Sequence, residues 1–340
     1  MTLSRKLQIL SAVVEKYVLT GDPVGSKTVC EELEPSFSPA TVRSEMADLV
    51  NFGYLFQPHV SSGRIPSHQG YRIYINKLMF KKPLSTEEKN LINGVLAFSS
   101  TDPESLLDSA AKVLSNITNC MAIITTPPSL ESKVRDIQFV RVGRRSAMIV
   151  LMISNGMIKN KLFKCDYDLT SEILHMLGEV LNEKFRGELL SSITPEFVNF
   201  LVGGDEKTAL ILLPVIDVFM KAAKEACEVE IKIHGQKNLL SIPEITPEVI
   251  INIFNFLENR EKVLSLLNLA DNGINFIVGE ENIYTELKNA SVISTHYSIG
   301  GKSGAIGIIG PTRMDYGLIA EYLQYVTALV GALLGRMLEN

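Results

Sequence analysis

Apolar positions near the start of the chain recur at helical spacing. Leu3, Leu7, Leu10, Val14 and Tyr17 alternate steps of four and three, which predicts one buried stripe on a helix over residues 2–19. Thr20-Gly-Asp-Pro23 breaks it, and Ser26 stands where it would cap a short second helix, 27–33. After a turn at Glu34-Pro-Ser36 the pattern sharpens. Ser38 is a strong N-cap type and Pro39 falls at the first helical position, where a missing N–H costs nothing. Val42, Met46, Leu49 and Val50 then share one face, leaving Thr41, Arg43, Ser44 and Ala47 on a narrow polar one, until Gly53 ends the helix. Two strand candidates follow, Tyr54-Leu-Phe56 and Arg64-Ile65, around a loop with Gly63 at its tip. Helix, helix, turn, helix and hairpin is the order of a winged helix-turn-helix DNA reader.

Further along, Thr86 and Asp102 are helix-capping candidates, and residues 103–118 carry Leu106, Leu107, Ala110, Val113, Leu114 and Ile117 on one side. Strands are predicted at 121–125, 134–142, 146–154 and 157–165, with Asn155-Gly156 as a two-residue hairpin turn. Later strands fall at 274–278, 292–297 and 305–309, and a long helix at 314–337 closes the chain. Between the two sets of strands, 190–270 reads as mostly helical. Residues 249–257 and 263–269 are amphipathic helices, 228–234 is a strand candidate, and 209–223 is apolar nearly all round. The expected fold class is α+β. An N-terminal winged helix-turn-helix (1–82) precedes a GAF-like antiparallel-sheet domain (83–189 and 271–340). That domain is split by an inserted, mostly helical dimerisation domain (190–270), because an apolar helical insertion must bury itself against something.

Charge supports a nucleic-acid partner locally. Residues 1–82 hold ten Lys and Arg against seven Asp and Glu, an excess of three positive charges, whereas the remainder of the chain brings the total to −5. Phosphate binding needs local cation density rather than a basic whole protein. The mean hydropathy of +0.17 fits large buried interfaces. Without a basic-then-apolar leader or a run of about 18 apolar residues, the chain is expected to be cytoplasmic with no membrane partner. Cys30, Cys120, Cys165 and Cys227 lack metal or redox spacing and read as reduced small hydrophobes.

The motifs in register have a specific likeness. Asp22-Pro-Val-Gly-Ser26, Ser38-Pro-Ala-Thr-Val-Arg43, Glu45-Met-Ala-Asp-Leu49, Gly53-Tyr-Leu55, Gln57-Pro-His59, Ser62-Gly-Arg-Ile-Pro66 and Gly70-Tyr-Arg72 together resemble the heat-inducible transcription repressor HrcA family of bacteria. The likeness continues more loosely through Asp136-Ile-Gln-Phe-Val140, Asn155-Gly156 and Gly307-Ile-Ile-Gly-Pro311. It implies a dimeric repressor of chaperone operons that binds an inverted-repeat operator of the CIRCE type. It also implies that the GroE chaperonin maintains the DNA-binding form. Two departures stand out: Ser44 replaces the family's more common Asn, and Ser67-His-Gln69 replaces a more charged stretch.

The expected DNA contacts follow. Ser38, Thr41, Arg43 and Ser44 are the major-groove candidates; Arg43 suits guanine or a phosphate, and Ser44 has the shorter reach. Ser26, Lys27 and Thr28 are expected at phosphates, and Ser61, Ser62 and Arg64 on the wing. Arg72 is either a backbone clamp or one side of an intramolecular ion pair. No cofactor or metal is expected. His59, His68, His175, His234 and His296 have no helical pairing, and no nucleophile elbow or acid/base couple stands out. Gly300-Gly-Lys-Ser-Gly-Ala-Ile-Gly307 imitates a phosphate loop but lacks the Gly at 296 and the following helix, so a hairpin turn is expected. An enzyme with an appended DNA module therefore has no support. A regulator whose sensor-like domain binds a small molecule remains the alternative.

Overall fold

The computed structural model describes residues 5–33, 38–59, 62–80, 82–98, 102–127, 132–154, 156–194, 206–268, 273–299 and 302–339, the side chains of 206–213 and 338–339 excepted. Helices α1 (Arg5–Thr20), α2 (Ser26–Glu32) and α3 (Pro39–Asn51) lead into an antiparallel ribbon of β1 (Leu55–Phe56) and β2 (Ile65–Pro66). Val24 bridges Arg64 and adds a third short element to the ribbon. Helix α4 (His68–Ile73) then runs into a π-helical turn, Tyr74–Leu78. On α1 the expected Leu10 and Val14 are fully buried, but so are Ile9 and Val13, so this helix buries a broader face than its stripe predicts. Val42, Met46 and Leu49 of α3 are buried as expected. The second helix differs in its cap: Gly25 is the N-cap and makes no side-chain hydrogen bond, and Ser26 is already the first helical residue.

The centre of the molecule is a five-stranded antiparallel sheet in the order β7 (Ile231–His234), β3 (Met121–Thr125), β10 (Lys302–Pro311), β9 (Ala290–Ile299), β8 (Asn275–Val278). Alternate residues face opposite layers. Ala122, Ile124, Ile306 and Ile308 join the core beneath α6 (Pro103–Thr118) and α11 (Tyr316–Glu339). Met121, Ile123, Ala305 and Ile309 join the core beneath α9 (Pro247–Glu258) and α10 (Arg260–Leu267). Burial on both faces explains why these strands read as unbroken apolar runs. Helix α5 (Thr86–Phe98) packs on α6 and α11. Asp102 caps α6 as expected, accepting from the Ser105 N–H, whereas Thr86 is already inside α5.

Between β3 and β7 the chain builds a second unit. Strands β4 (Val134–Gly143), β5 (Ser146–Ile153) and β6 (Ile158–Lys164) form a separate three-stranded sheet. Helices α7 (Ser171–Phe185) and α8 (Glu206–Cys227) share its core, with the Phe185 and Phe219 rings 4.7 Å apart. The expected division at residues 190 and 270 therefore cuts across both cores. Strands β4–β6 do not belong to the central sheet, whereas β7 does and α9 and α10 share the core on one of its faces. The deciding contact is the β3–β7 ladder, Ala122 against His234, a pairing that local periodicity does not encode. Helix α8 is also less uniformly apolar than expected, since Asp217 and Lys221 pair on its exposed side.

One core joins the N-terminal helices to the central sheet, running from Ile9 through Tyr71 to Tyr316 and Leu334. Helix α11 is long and apolar enough to cross a membrane by length and composition; it lies against β9 with Leu323, Val326 and Val330 buried. Burial pushes the Cys120 thiol up to about 12, which keeps it protonated and inert. The Gly300–Gly301 corner lies outside the described residues, and the β9–β10 hairpin flanking it is strand on both sides, with Lys302 opposite Ile299.

Candidate nucleic-acid interface

Helix α3 begins on a tight cap. The Ser38 hydroxyl accepts from the Thr41 backbone N–H at 3.1 Å and lies 2.9 Å from the Thr41 hydroxyl. Both side chains are thus engaged with the helix terminus, and the Thr41 hydroxyl is turned back toward it. Arg43 and Ser44 point outward and are exposed, with no hydrogen-bonding or charged partner among the described residues. Pro39, Ala40, Ala47 and, at the far end, Asn51 complete the exposed surface of this helix. Its small side chains would let a flat or grooved partner approach the backbone closely.

The charges around α3 are sorted by one residue that the sequence reading overlooked. Lys6 of α1 pairs with Glu45 at 2.5 Å and Asp48 at 2.8 Å. The hydrogen bonds it donates to Asp48 and Glu45 raise the Lys6 pKa and favour the cation. Lys6 thereby engages both carboxylates of α3, and Arg43 is left without an ion-pair partner among the described residues. The signal was available: Glu45 and Asp48 sit three apart on one flank, a spacing that calls for a facing cation.

On α2, Lys27 is exposed while Ser26 and Thr28 are half-buried. Glu32 is held by Lys16, away from that helix's N-terminus. In the ribbon the Ser62 hydroxyl donates to the His59 carbonyl at 2.7 Å and accepts from the His59 N–H at 2.9 Å, closing the loop. The Arg64 guanidinium folds back on the same loop, donating to the Ser62 carbonyl at 3.1 Å, and its Nε is buried with no partner among the described residues. Ser61 lies outside the described residues.

Arg72 is drawn away from the other candidates. Its Nε donates to Glu281 at 2.7 Å, its Nη2 reaches the second Glu281 oxygen, and the same Nη2 donates to the Phe276 carbonyl at 2.6 Å. Of the two roles open from sequence, the structure takes the ion pair. Arg72 is a bolt between α4 and the central domain, not a free phosphate clamp.

With this geometry in view, the relatives are decisive. A family model described as the HrcA protein C-terminal domain matches residues 104–319. The chain belongs to the HrcA family. That match runs from α6 into α11, so it covers the central and inserted units and not the α1–α4 region. Full-length HrcA relatives extend the likeness to α1–α4. The protein named heat-inducible transcription repressor HrcA from Pelotomaculum thermopropionicum is 30% identical over 340 residues, covering 99% of this chain and 98% of its own. Its namesake from Alkaliphilus metalliredigens is 32% identical over 333 residues, with 97% of each covered. A crystal structure described as that of a hypothetical protein superposes with a TM-score of 0.71 at 22% identity, covering 99% of both chains, and so shares the fold.

Proposed function

We propose that this chain is a heat-shock transcriptional repressor that binds DNA through a winged helix-turn-helix formed by α1–α4 and the β1–β2 ribbon. The observation that carries the reading is α3 itself: a capped, amphipathic helix whose outward face is small, polar and crowned by an arginine with no ion-pair partner among the described residues. Arg43 is the principal base or phosphate contact, with Ser44 beside it. Lys27 is the phosphate contact at α2, and Ser62 with Arg64 shapes the wing. Ser38 and Thr41 act first as the cap that aims the helix. The operator is a CIRCE-type inverted repeat read by a two-fold dimer, as the family likeness implies.

For the homodimer, support comes from the inserted unit. Strands β4–β6 bury one face under α7 and α8; on the other, Val140, Met148 and Leu162 stand in register, with Val140 46% and Leu162 58% exposed. Ile158, 53% exposed, opposes Met152 on the same face, with Val150 between the two apolar positions on β5. Exposed apolar side chains grouped on one sheet face mark an association surface. The central sheet domain, with helices on both faces, serves as a GAF-like scaffold. Maintenance of the DNA-binding form by the GroE chaperonin rests on the family likeness.

The test is a titration of purified protein against a chaperone-operon inverted repeat and a scrambled duplex, across a salt series, with and without chaperonin. A large operator preference that falls on heating and returns with chaperonin supports the reading. Equal, strongly salt-dependent binding to both duplexes would reduce α1–α4 to a nonspecific DNA module.

A further inference from the structure

The second reading, small-molecule control, gains a concrete location. Between α11 and the β8–β9 side of the central sheet lies a cavity of about 720 Å³, lined among others by Phe276, Thr295, Ser298, Gln324, Thr327 and Gly331. Its opening is maintained by short residues on α11. A Cβ on Gly331 would come within 3.3 Å of the Ser298 carbonyl, and Ala328 and Ala332 line the same wall.

Small residues alone would mark nothing more than close packing, but one hydroxyl here is out of place. Thr327 is in mid-helix, where a threonine usually bonds the carbonyl one turn back. Its hydroxyl is buried and has no partner among the described residues. Thr295, 6% exposed, lies on the facing strand and lines the same cavity. A buried hydroxyl is costly to leave unpaired, and one on a cavity wall calls for a polar occupant.

The lining defines that occupant's chemistry. Among the described residues no Lys, Arg, Asp or Glu lines it, and His296 falls on the opposite pleat of β9 from Thr295 and Tyr297, so the described lining offers no compensation for a desolvated charge. Phe276 and Tyr297 provide aromatic surface, while Thr295, Gln324 and Thr327 each can donate and accept. That combination fits a flat, uncharged ring edged with both N–H and C=O groups.

The same wall touches the DNA-reading unit. Phe276 presents its side chain to the cavity, and its carbonyl accepts from Arg72 of α4. Its ring lies 6.3 Å from Tyr316, which in turn lies 5.6 Å from Tyr71 of α4. We propose that this cavity binds an uncharged, amide-edged aromatic small molecule and that Phe276 relays its presence through Arg72 to the DNA-binding unit. The binding half stands independently of the DNA reading; the relay half rests on it.

The full-length protein is titrated with uracil, nicotinamide and benzamide, and with benzoate as the charged comparison, at about 1–5 mM by saturation-transfer NMR. Saturable binding of at least one uncharged probe is expected, roughly tenfold weaker in Thr327→Val and abolished in Ala328→Leu, which fills the cavity. Circular dichroism establishes that each variant is folded, and Thr327→Val alone decides should Ala328→Leu misfold. The absence of saturable binding by every uncharged probe overturns the site. So does tighter binding of benzoate, or binding indifferent to the folded variants. Operator affinity is then measured with and without the bound probe in the wild type and in Arg72→Met. A probe-dependent change confined to the wild type supports the relay. Intact probe binding with unchanged operator affinity overturns the relay and leaves the site. A wild type that binds no duplex overturns the DNA reading, and the relay with it, while the NMR result stands.

Discussion

Arg72 and Glu281, 209 residues apart in sequence, meet through two guanidinium nitrogens and both carboxylate oxygens. Burial pushes the Glu281 carboxyl up, but the hydrogen bonds from Arg72 and from the Val278 N–H outweigh it and hold the group below its usual 4.5. A carboxylate depressed in the folded state contributes stability above its unfolded pKa, and that contribution is lost as pH falls through the folded value. The α4 contact should therefore loosen below about pH 4.5. Each partner is about one-third exposed on its side chain, so solvent screening keeps the effect modest. Arg72→Met should cost about 1–2 kcal/mol at neutral pH and remove this acid dependence. Thermal unfolding of wild type and variant from pH 3 to 7 measures both; parallel profiles would show that the pair holds nothing.

Two glycines in the family motifs have a steric reason that their conservative replacements should expose. A Cβ at Gly70 would lie 2.1 Å from the Tyr54 carbonyl, and one at Gly63 would lie 2.5 Å from the Val24 backbone. The first seats α4 against the end of α3; the second lets Val24 bridge Arg64. The opposing atoms are backbone and have little freedom to retreat. Gly70→Ala and Gly63→Ala should each destabilise the N-terminal unit by about 1–3 kcal/mol, in line with other overpacked sites. Denaturant unfolding read by hydrogen exchange in α1–α4 is the measurement, and wild-type stability in either variant would contradict the packing account.

What the sequence made legible was local. The Ser38 cap, the Pro39 start, the Met121–Thr125 strand and the β4–β5–β6 succession all rest on neighbours within a few residues, and each lies where periodicity puts it. What it concealed was pairing at a distance. Residues 231–234 read as an isolated strand inside a helical stretch, because the partner that gives them a sheet, β3, lies more than 100 residues earlier. Arg72 stayed ambiguous for the same reason, since an arginine's role is set by the nearest anion and Glu281 is not nearby in sequence. The polar position of Arg43 was legible from α3 alone, whereas the pairing of Glu45 and Asp48 with Lys6, 39 and 42 residues earlier, was not.

Capping and DNA contact can be separated at Ser38. Ser38→Ala should cost about 1 kcal/mol of stability by releasing the Thr41 N–H. Ser38→Asp keeps a good cap and should retain stability, yet it sets a negative charge at the end of α3 that faces phosphate in the proposed complex. Operator affinity should therefore fall in Ser38→Asp while the melting temperature does not. Equal affinity of the two folded proteins would place the α3 N-terminus away from DNA.

Arg43 makes the sharper demand on the same surface. As a base reader, Arg43→Ala should lose about 1–3 kcal/mol on the operator and little on random duplex. As a phosphate contact it should weaken both alike and flatten the salt slope by about one. Anisotropy titrations on both duplexes at several salt concentrations distinguish these outcomes. An Arg43→Ala protein unchanged on either duplex would remove α3 from the interface.

The uncovered face of β4–β6 provides a test of assembly that leaves the DNA surface untouched. Val140 and Leu162 both oppose Met148 across the ladder, so a charge at each end of that row strikes its centre. Neither side chain belongs to the buried core beneath α7 and α8, so Val140→Lys with Leu162→Lys should leave the monomer folded. Two lysines on a surface that must be desolvated cost several kcal/mol per copy if it is an interface. Light scattering should then report a monomer where the wild type is a dimer. Because an inverted repeat rewards two linked half-sites, operator affinity should fall by orders of magnitude while binding to an isolated half-site changes little. A doubly substituted protein that remains dimeric would place the interface elsewhere. The central domain would be the next place to look, beginning with the exposed Leu91 and Phe98 on α5.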